Sequence, residues 1–191
     1  MNKTILIEVS ARHVHLYQKD LDALFGTNYQ LKKLKDLPTT KQFAAKETLN
    51  IQVGSNKIPN VRIVGPPRKK TQIELSITDA INLGINPPIR KSGNLKETPG
   101  ITLISPKRKI KLKNGVIIPW RHIHCSPKEA KKLNLKNEEL VSVKIKGKRA
   151  VIFDNVKVRT DKNFRLCMHL DTDEGNAAGI TRKGKGIILK N

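Results

Sequence analysis

Aromatic residues are scarce: Phe, Trp and Tyr make up 4% of the 191 residues. Single-stranded nucleic acid is bound by stacking bases on clustered aromatics. Here Trp120, two tyrosines and four phenylalanines are scattered, which counts against that class. Cysteine is scarce too. Cys125 and Cys167 cannot build a disulfide framework, so a reducing compartment is the expectation. No stretch of about 18 apolar residues occurs, which excludes a transmembrane helix. The opening MNKTILIEVSARHVH has one short apolar run, Ile5–Ile7, and no small-residue cleavage site, so it reads as a strand and not a signal peptide.

Acidic residues are outnumbered: 16 Asp and Glu face 38 Lys and Arg, a net charge of +22. Such a surface attracts polyanions, either nucleic acid or a phosphorylated cofactor or substrate. The lysines are spread along the chain and no basic tail stands apart. A lysine-rich solvated surface is the plainer reading of most of this charge.

Histidine is the next scarcity, and its distribution is informative. Four of the five histidines form two pairs, His13/His15 and His122/His124, inside the repeated segments Arg12–Leu16 and Arg121–Cys125. The match extends downstream. Aligned without a gap, Asn60 falls on Asn155, Glu74 on the fifth histidine, His169, Thr78 on Asp173 and Gly84 on Gly179. The first copy is longer by 14 residues, an excess assigned to the region around Leu31–Thr40.

The remaining pattern is mostly short and β-branched, with helices expected only at Gln18–Phe25, Thr78–Leu83 and Pro127–Leu133. The last has Ser126 as N-cap, Pro127 at its first position and Glu129 completing a capping box. The chain therefore reads as mainly β, two pseudo-repeated small β-barrel domains capped by short α-helices. The expected divisions are 1–88, a polar linker 89–100, and 101–191. Lys183–Lys185 reads as a loose terminus.

An H-x-H pair on a strand puts both imidazoles on one face. Each half adds one more ligand-type residue at the same repeat position. The sets are His13, His15, Glu74 and His122, His124, His169. Three protein ligands and an open position is the layout of a catalytic zinc site, and two such sites together make a dinuclear centre. Zinc is favoured, although cobalt, iron or nickel fit similar ligands. Histidines that merely hydrogen-bond are the competing reading. Arg68 follows a Gly-Pro-Pro turn and can reach over the metal to bind phosphate, or it is a solvated basic loop residue. Arg12 and Arg121 alternate away from the histidine faces, as ligand contacts or as salt-bridge partners. Cys125 and Cys167 read as packing residues rather than nucleophiles. Asp171, Asp173 and Glu174 read as partners that orient the ligands, or as a solvated acidic turn.

SARHVHL, QFAAKETLNI, VRIVGPPRKKTQIELSITDAINLGINPPIRKSGNL, RHIHCSPKEA, VIFDNVKVR and MHLDTDEGNAAG together resemble the PduL-type phosphate propanoyltransferases, from about Ile7 to Gly179. The resemblance implies exchange between an acyl-coenzyme A and inorganic phosphate, giving acyl phosphate and free coenzyme A. It implies two β-barrels with two zinc ions between them, held by His13, His15, Glu74, His122, His124 and His169. It implies Arg68 as the phosphate-binding and catalytic arginine, and coenzyme A contacts at Val9, Ser10, Ala11, Arg62 and Asn176. It further implies a homodimer. Family members packed in microcompartments carry an N-terminal extension. The family core here begins within the first ten residues, so a free cytoplasmic enzyme is expected, acting on acetyl groups beside an acetate kinase. Trp120 stands where the family has small residues, either lining a pocket or packing.

The direct route has phosphate attacking the thioester carbonyl, with no acyl-enzyme. The rival readings are a zinc-dependent hydrolase and a zinc-containing nucleic-acid-binding protein. The missing βα alternation counts against the (β/α)₈ hydrolases, and the missing Cys-rich finger spacing counts against the latter.

Overall fold

The computed structural model describes residues 3–37 and 41–189. In chain order its elements are β1 (Lys3–Val9), β2 (His13–His15), α1 (Gln18–Phe25), β3 (Lys33–Asp36), β4 (Phe43–Val53), β5 (Asn56–Gly65), β6 (Gln72–Glu74) and α2 (Ile77–Leu83). Then come β7 (Ile89–Arg90), β8 (Ile101–Ile104), β9 (Lys109–Leu112), β10 (Val116–Pro119), β11 (His122–Cys125) and α3 (Pro127–Leu133). The chain closes with β12 (Leu140–Ile145), β13 (Val151–Thr160), β14 (Cys167–Leu170), α4 (Thr172–Ala177) and β15 (Lys183–Leu189). The protein is mainly β, with four short helices among the described residues.

Two compact units result. Arg12–Leu37 and Gln42–Pro119 form the first. Its sheet runs β7-β10-β6-β2-β5-β4-β8-β9, with β3 paired to β4, and curls into a half-barrel. The core holds Leu16, Leu21, Leu24, Leu49, Ile51, Ile63, Ile73 and Leu103, all essentially inaccessible to water. The residues through Ala11 and from Trp120 onward form the second unit, a closed barrel in the order β1-β14-β11-β13-β12-β15. Its interior holds Ile7, Ile123, Val143, Val158 and Met168.

Three helices start with reciprocal caps. Ser76 with Asp79, Ser126 with Glu129 and Asp171 with Glu174 each satisfy two backbone N–H groups that a helix start leaves open. Asp171–Glu174 is thus a helix start and not an acidic turn. Its third turn-forming residue, Glu174, also takes an ion pair from Arg121 at 3.1 Å. Arg12 makes the equivalent pair with Asp79. Of the two options open for these arginines, both take the structural one, and at matching repeat positions.

Val151–Thr160 is one continuous strand, β13. Asn155 lets it continue through a left-handed residue at φ 55°, as Asn60 does in β5 at φ 57°. Asparagine tolerates that backbone where most residues do not. The 14-residue excess carries β3, which pairs with β4; residues 38–40 of that stretch lie outside the described residues. The loose terminus expected at Lys183–Lys185 is instead part of β15, hydrogen-bonded between β1 and β12. Lys183 and Lys185 point to solvent while Gly184 and Gly186 face in. A Cβ on Gly186 would stand 2.7 Å from Val143 and 2.9 Å from Ile7. The glycines that read as looseness are required by close packing.

Gly175 in α4 is equally confined. An added Cβ would meet the Val9 side chain at 2.7 Å and the Ile180 carbonyl oxygen at 2.8 Å. Gly175→Ala is expected to lower unfolding stability by about 1–3 kcal/mol in chemical denaturation. An unchanged midpoint would show that α4 shifts freely.

Candidate functional site

The two histidine pairs sit in equivalent ladders. In the first unit β2 lies between β5, parallel, and β6, antiparallel. His13 stands opposite Arg62 on one side and Glu74 on the other. In the barrel β11 lies between β13, parallel, and β14, antiparallel, and His122 stands opposite Lys157 and His169. The gapless repeat alignment pairs Arg62 with Lys157 and Glu74 with His169, so the two registers coincide residue for residue. Side chains directly across a ladder share a face, which brings each third residue to its histidine pair.

The donor atoms converge. Ligand atoms of His13, His15 and Glu74 lie within 4.8 Å of one another, and so do those of His122, His124 and His169. In the first set the two Nε2 atoms are 3.1 Å apart, and Glu74 oxygens stand 3.5 Å from His13 and 3.7 Å from His15. Tetrahedral zinc with bonds of about 2.0–2.1 Å spaces its ligands by roughly 3.3 Å. These residues fit a zinc-sized ion.

Ring orientation is imposed from behind. His15 Nδ1 donates to the Val64 carbonyl at 3.2 Å, and His122 Nδ1 donates to the Trp120 carbonyl at 2.8 Å. A carbonyl only accepts, so the proton is on Nδ1 and the Nε2 lone pair faces the cluster. Burial, then His13, then Arg68 hold His15 well below the ordinary imidazole range. Burial, then His169, then Arg159 do the same for His122. Both rings are kept neutral, the form that binds a metal.

Glu74 is gripped as well. Gln72 Nε2 donates to its Oε1 at 2.6 Å and to the Ser92 hydroxyl at 2.8 Å. Ser92 donates to the same Oε1 at 3.2 Å and accepts from Arg68 Nη1 at 3.0 Å. The Gly93 N–H donates to the Gln72 side-chain Oε1 at 2.7 Å. Arg68 is therefore joined through one hydroxyl to a candidate metal ligand. Its backbone is also anchored, with its N–H on the Leu16 carbonyl at 2.7 Å.

The expected coenzyme A contacts divide between the units. Val9 and Ser10 have fixed backbones, donating to the Arg182 and Leu170 carbonyls at 2.9 and 2.8 Å. Ala11 is exposed, and so is Asn176 in α4. Arg62 lies in the other unit, with Nη1 donating to the Ala45 and Lys46 carbonyls at 3.1 and 2.8 Å.

Residue-by-residue reading of the sequence missed Ser92, Arg159 and Phe164. Phe164 stacks on His124 with centroids 3.8 Å apart. Ser92 and Arg159 stand inside segments that carry the family resemblance and Phe164 does not, but nothing in their local pattern sets them apart; only the fold brings them to the donor sets. Trp120, left open by the sequence, makes two contacts. Its Nε1 donates to the Asn155 carbonyl at 2.7 Å and Lys157 lies 4.7 Å over its ring.

A family model described as phosphate propanoyltransferase matches residues 6–181. The chain belongs to the phosphate propanoyltransferase family. It is 45% identical to a phosphate propanoyltransferase of Enterococcus faecalis, covering 98% of this chain and 89% of that one. It is 50% identical to one of Lachnoclostridium phytofermentans, over 92% and 82%. A third, from Thermotoga maritima, is 48% identical over 91% and 83%. The family match spans both donor sets and Arg68, so the site described belongs to the part shared with these acyltransferases.

A further donor grouping, Glu8, Cys167 and His169, shares His169 with the barrel set. Burial, then Glu8, pushes the Cys167 thiol up to about 12. Lys183 pairs with Glu8 at 3.2 Å. This family member thus has no ready thiolate there. Burial, then Glu129, likewise raises Cys125 to about 11. Both thiols are inaccessible to water. The folded protein is expected to leave both cysteines unmodified by a disulfide reagent at pH 8, and to react at two sites once denatured. Rapid labelling of Cys125 in the folded state would reopen a covalent route.

Proposed function

We propose that this chain exchanges the acyl group of acetyl- or propanoyl-coenzyme A between coenzyme A sulfur and inorganic phosphate. The observation that carries this reading is the pair of equivalent donor sets, in a member of the phosphate propanoyltransferase family, with Arg68 hydrogen-bonded into one of them.

His13, His15 and Glu74 are the proposed ligands of one zinc ion and His122, His124 and His169 of a second. Bound zinc would supply a Lewis acid for the thioester carbonyl. Arg68 holds phosphate by a planar fork of N–H donors, and Ser92 steadies that fork from the side of Glu74. A phosphate oxygen attacks the carbonyl carbon. The C–O bond forms, the C–S bond breaks, and its electron pair leaves on the coenzyme A sulfur. No cysteine takes part. Val9, Ser10, Ala11 and Asn176 in the barrel unit, and Arg62 in the other, are the proposed coenzyme A contacts. The net charge of +22 draws both anionic substrates toward the protein. The same reading extends to a homodimer and to functional coupling with an acetate kinase.

The deciding experiment follows free thiol from acetyl- and propanoyl-coenzyme A, with and without phosphate, before and after chelation and zinc add-back. Release that needs both phosphate and metal, with acyl phosphate as product, is expected. Release without phosphate would replace the reading by a hydrolase. Arg68→Ala is expected to lower turnover by about 100-fold or more, with metal content unchanged. Full activity in that variant would remove Arg68 from the reaction. His15→Ala and His124→Ala are each expected to cost one zinc per chain by elemental analysis.

A further inference from the structure

The barrel face that bears His169 carries two donors that the proposed zinc sets do not use. β14 lies between β11 and β1. Toward β11, His169 stands opposite His122 and Cys167 opposite His124. Toward β1, His169 stands opposite Glu8. Met168 and Leu170 alternate with these residues and fill the barrel core. Glu8 and Cys167 therefore share the face of the histidines. Ligand atoms of Glu8, Cys167 and His169 lie within 4.8 Å of one another, the same limit that the two histidine-bearing sets meet. Of the two cysteines, Cys125 lies in the apolar core and Cys167 on the donor face.

The fold does not require this grouping, as the other half of the repeat shows. Its matching strands are β10, β6 and β2, paired in the same senses. There Gln72 stands opposite His15, and Ile117 stands opposite Glu74. At the matching ladder positions the barrel has Cys167 in place of the glutamine and Glu8 in place of the isoleucine. Both differences put a metal-ligating side chain beside the third donor.

A thiolate, an imidazole and a carboxylate, with water in the fourth position, suit a tetrahedral ion that favours sulfur. Cys167 is no ready nucleophile, but a coordinating cation deprotonates a thiol outright. Its proton goes to solvent as the sulfur–metal bond forms. Lys183 pairs with Glu8 at 3.2 Å, and its side chain is 62% exposed, so it can turn to water when the carboxylate takes the ion. Losing that proton and parting that ion pair both oppose binding, so the grouping favours soft cations, whose bonds to sulfur are strongest.

We propose that Glu8, Cys167 and His169 form a further metal seat of the barrel unit, which takes a soft, thiophilic cation and shares His169 with the His122 set. The seat lies within one compact unit and does not rest on the transacylase reading.

The test titrates the metal-stripped full chain with cadmium ion and follows the ultraviolet charge-transfer band of a cadmium–thiolate bond. The parent is expected to gain the band, Cys125→Ser to keep it and Cys167→Ser to lose it. His124→Ala is expected to keep it too, because that ring belongs to the His122 set alone. Glu8→Gln is expected to weaken the cadmium affinity read from the band by about tenfold or more. A parent without the band overturns the proposal, and so does a band that is lost with Cys125. A band lost in His124→Ala overturns it as well, since Cys167 would then serve the His122 set. If Cys167→Ser fails to fold by near-ultraviolet circular dichroism, Glu8→Gln decides: weaker binding supports the seat and parental affinity overturns it. Acyl transfer is not read in this test, so a failure of the transacylase reading stays separate from a failure of the seat.

Discussion

The cross-strand register at the two histidine strands is the constraint on which the rest depends. His13 must stand opposite Glu74, and His122 opposite His169. A slip of one residue in either ladder would turn the third donor to the other face of its sheet. Much of the surrounding structure guards that register. Val14 and Ile123, between the histidines, are buried to 0% exposure and lock the opposite face into the core. Arg12 and Arg121, just before the pairs, are tied to the third residue of the helix that follows the third donor. A capping box holds that helix start in each unit. Strand, partner strand and helix are thereby clamped together twice in the chain.

Convergence of three donors has an electrostatic cost, because buried rings and a carboxylate lose their hydration. The protein meets it with fixed hydrogen bonds. Backbone carbonyls of Val64 and Trp120 take the outer protons of His15 and His122. Gln72 and Ser92 hold Glu74. The same burial that keeps His15 and His122 neutral leaves Cys125 and Cys167 as unreactive thiols. One physical effect therefore readies the histidines and disarms the cysteines.

Much of this was legible in the chain. The H-x-H pairs, the gapless alignment of Glu74 with His169, and the caps at Ser126 and Glu129 rest on local chemistry and fixed periods, which a linear pattern displays. The errors have a common cause. Lys183–Lys185 looked like a loose end because alternating Lys and Gly carry no apolar stripe, yet glycine is what the approach of Ile7 and Val143 demands. At Asp171–Glu174 the helix went unread, and ligand partner or acidic turn stayed open, because that helix is only 6 residues long and starts on a carboxylate cap. In each case a neighbour distant in sequence supplies the reason for the residue.

By itself the sequence determined the β-rich class, the duplication, and which residue types stand at the six donor positions, because side-chain alternation and repeat spacing are properties of the chain alone. Only the tertiary structure decided what surrounds those donors. Ser92 reaches Glu74 across 18 positions, Glu174 reaches Arg121 across 53, and Phe164 reaches His124 across 40. It also decided that β1 closes the barrel made by the C-terminal strands. Such contacts follow from which strand edges find partners and which faces find a core, and those are choices that the whole chain makes together.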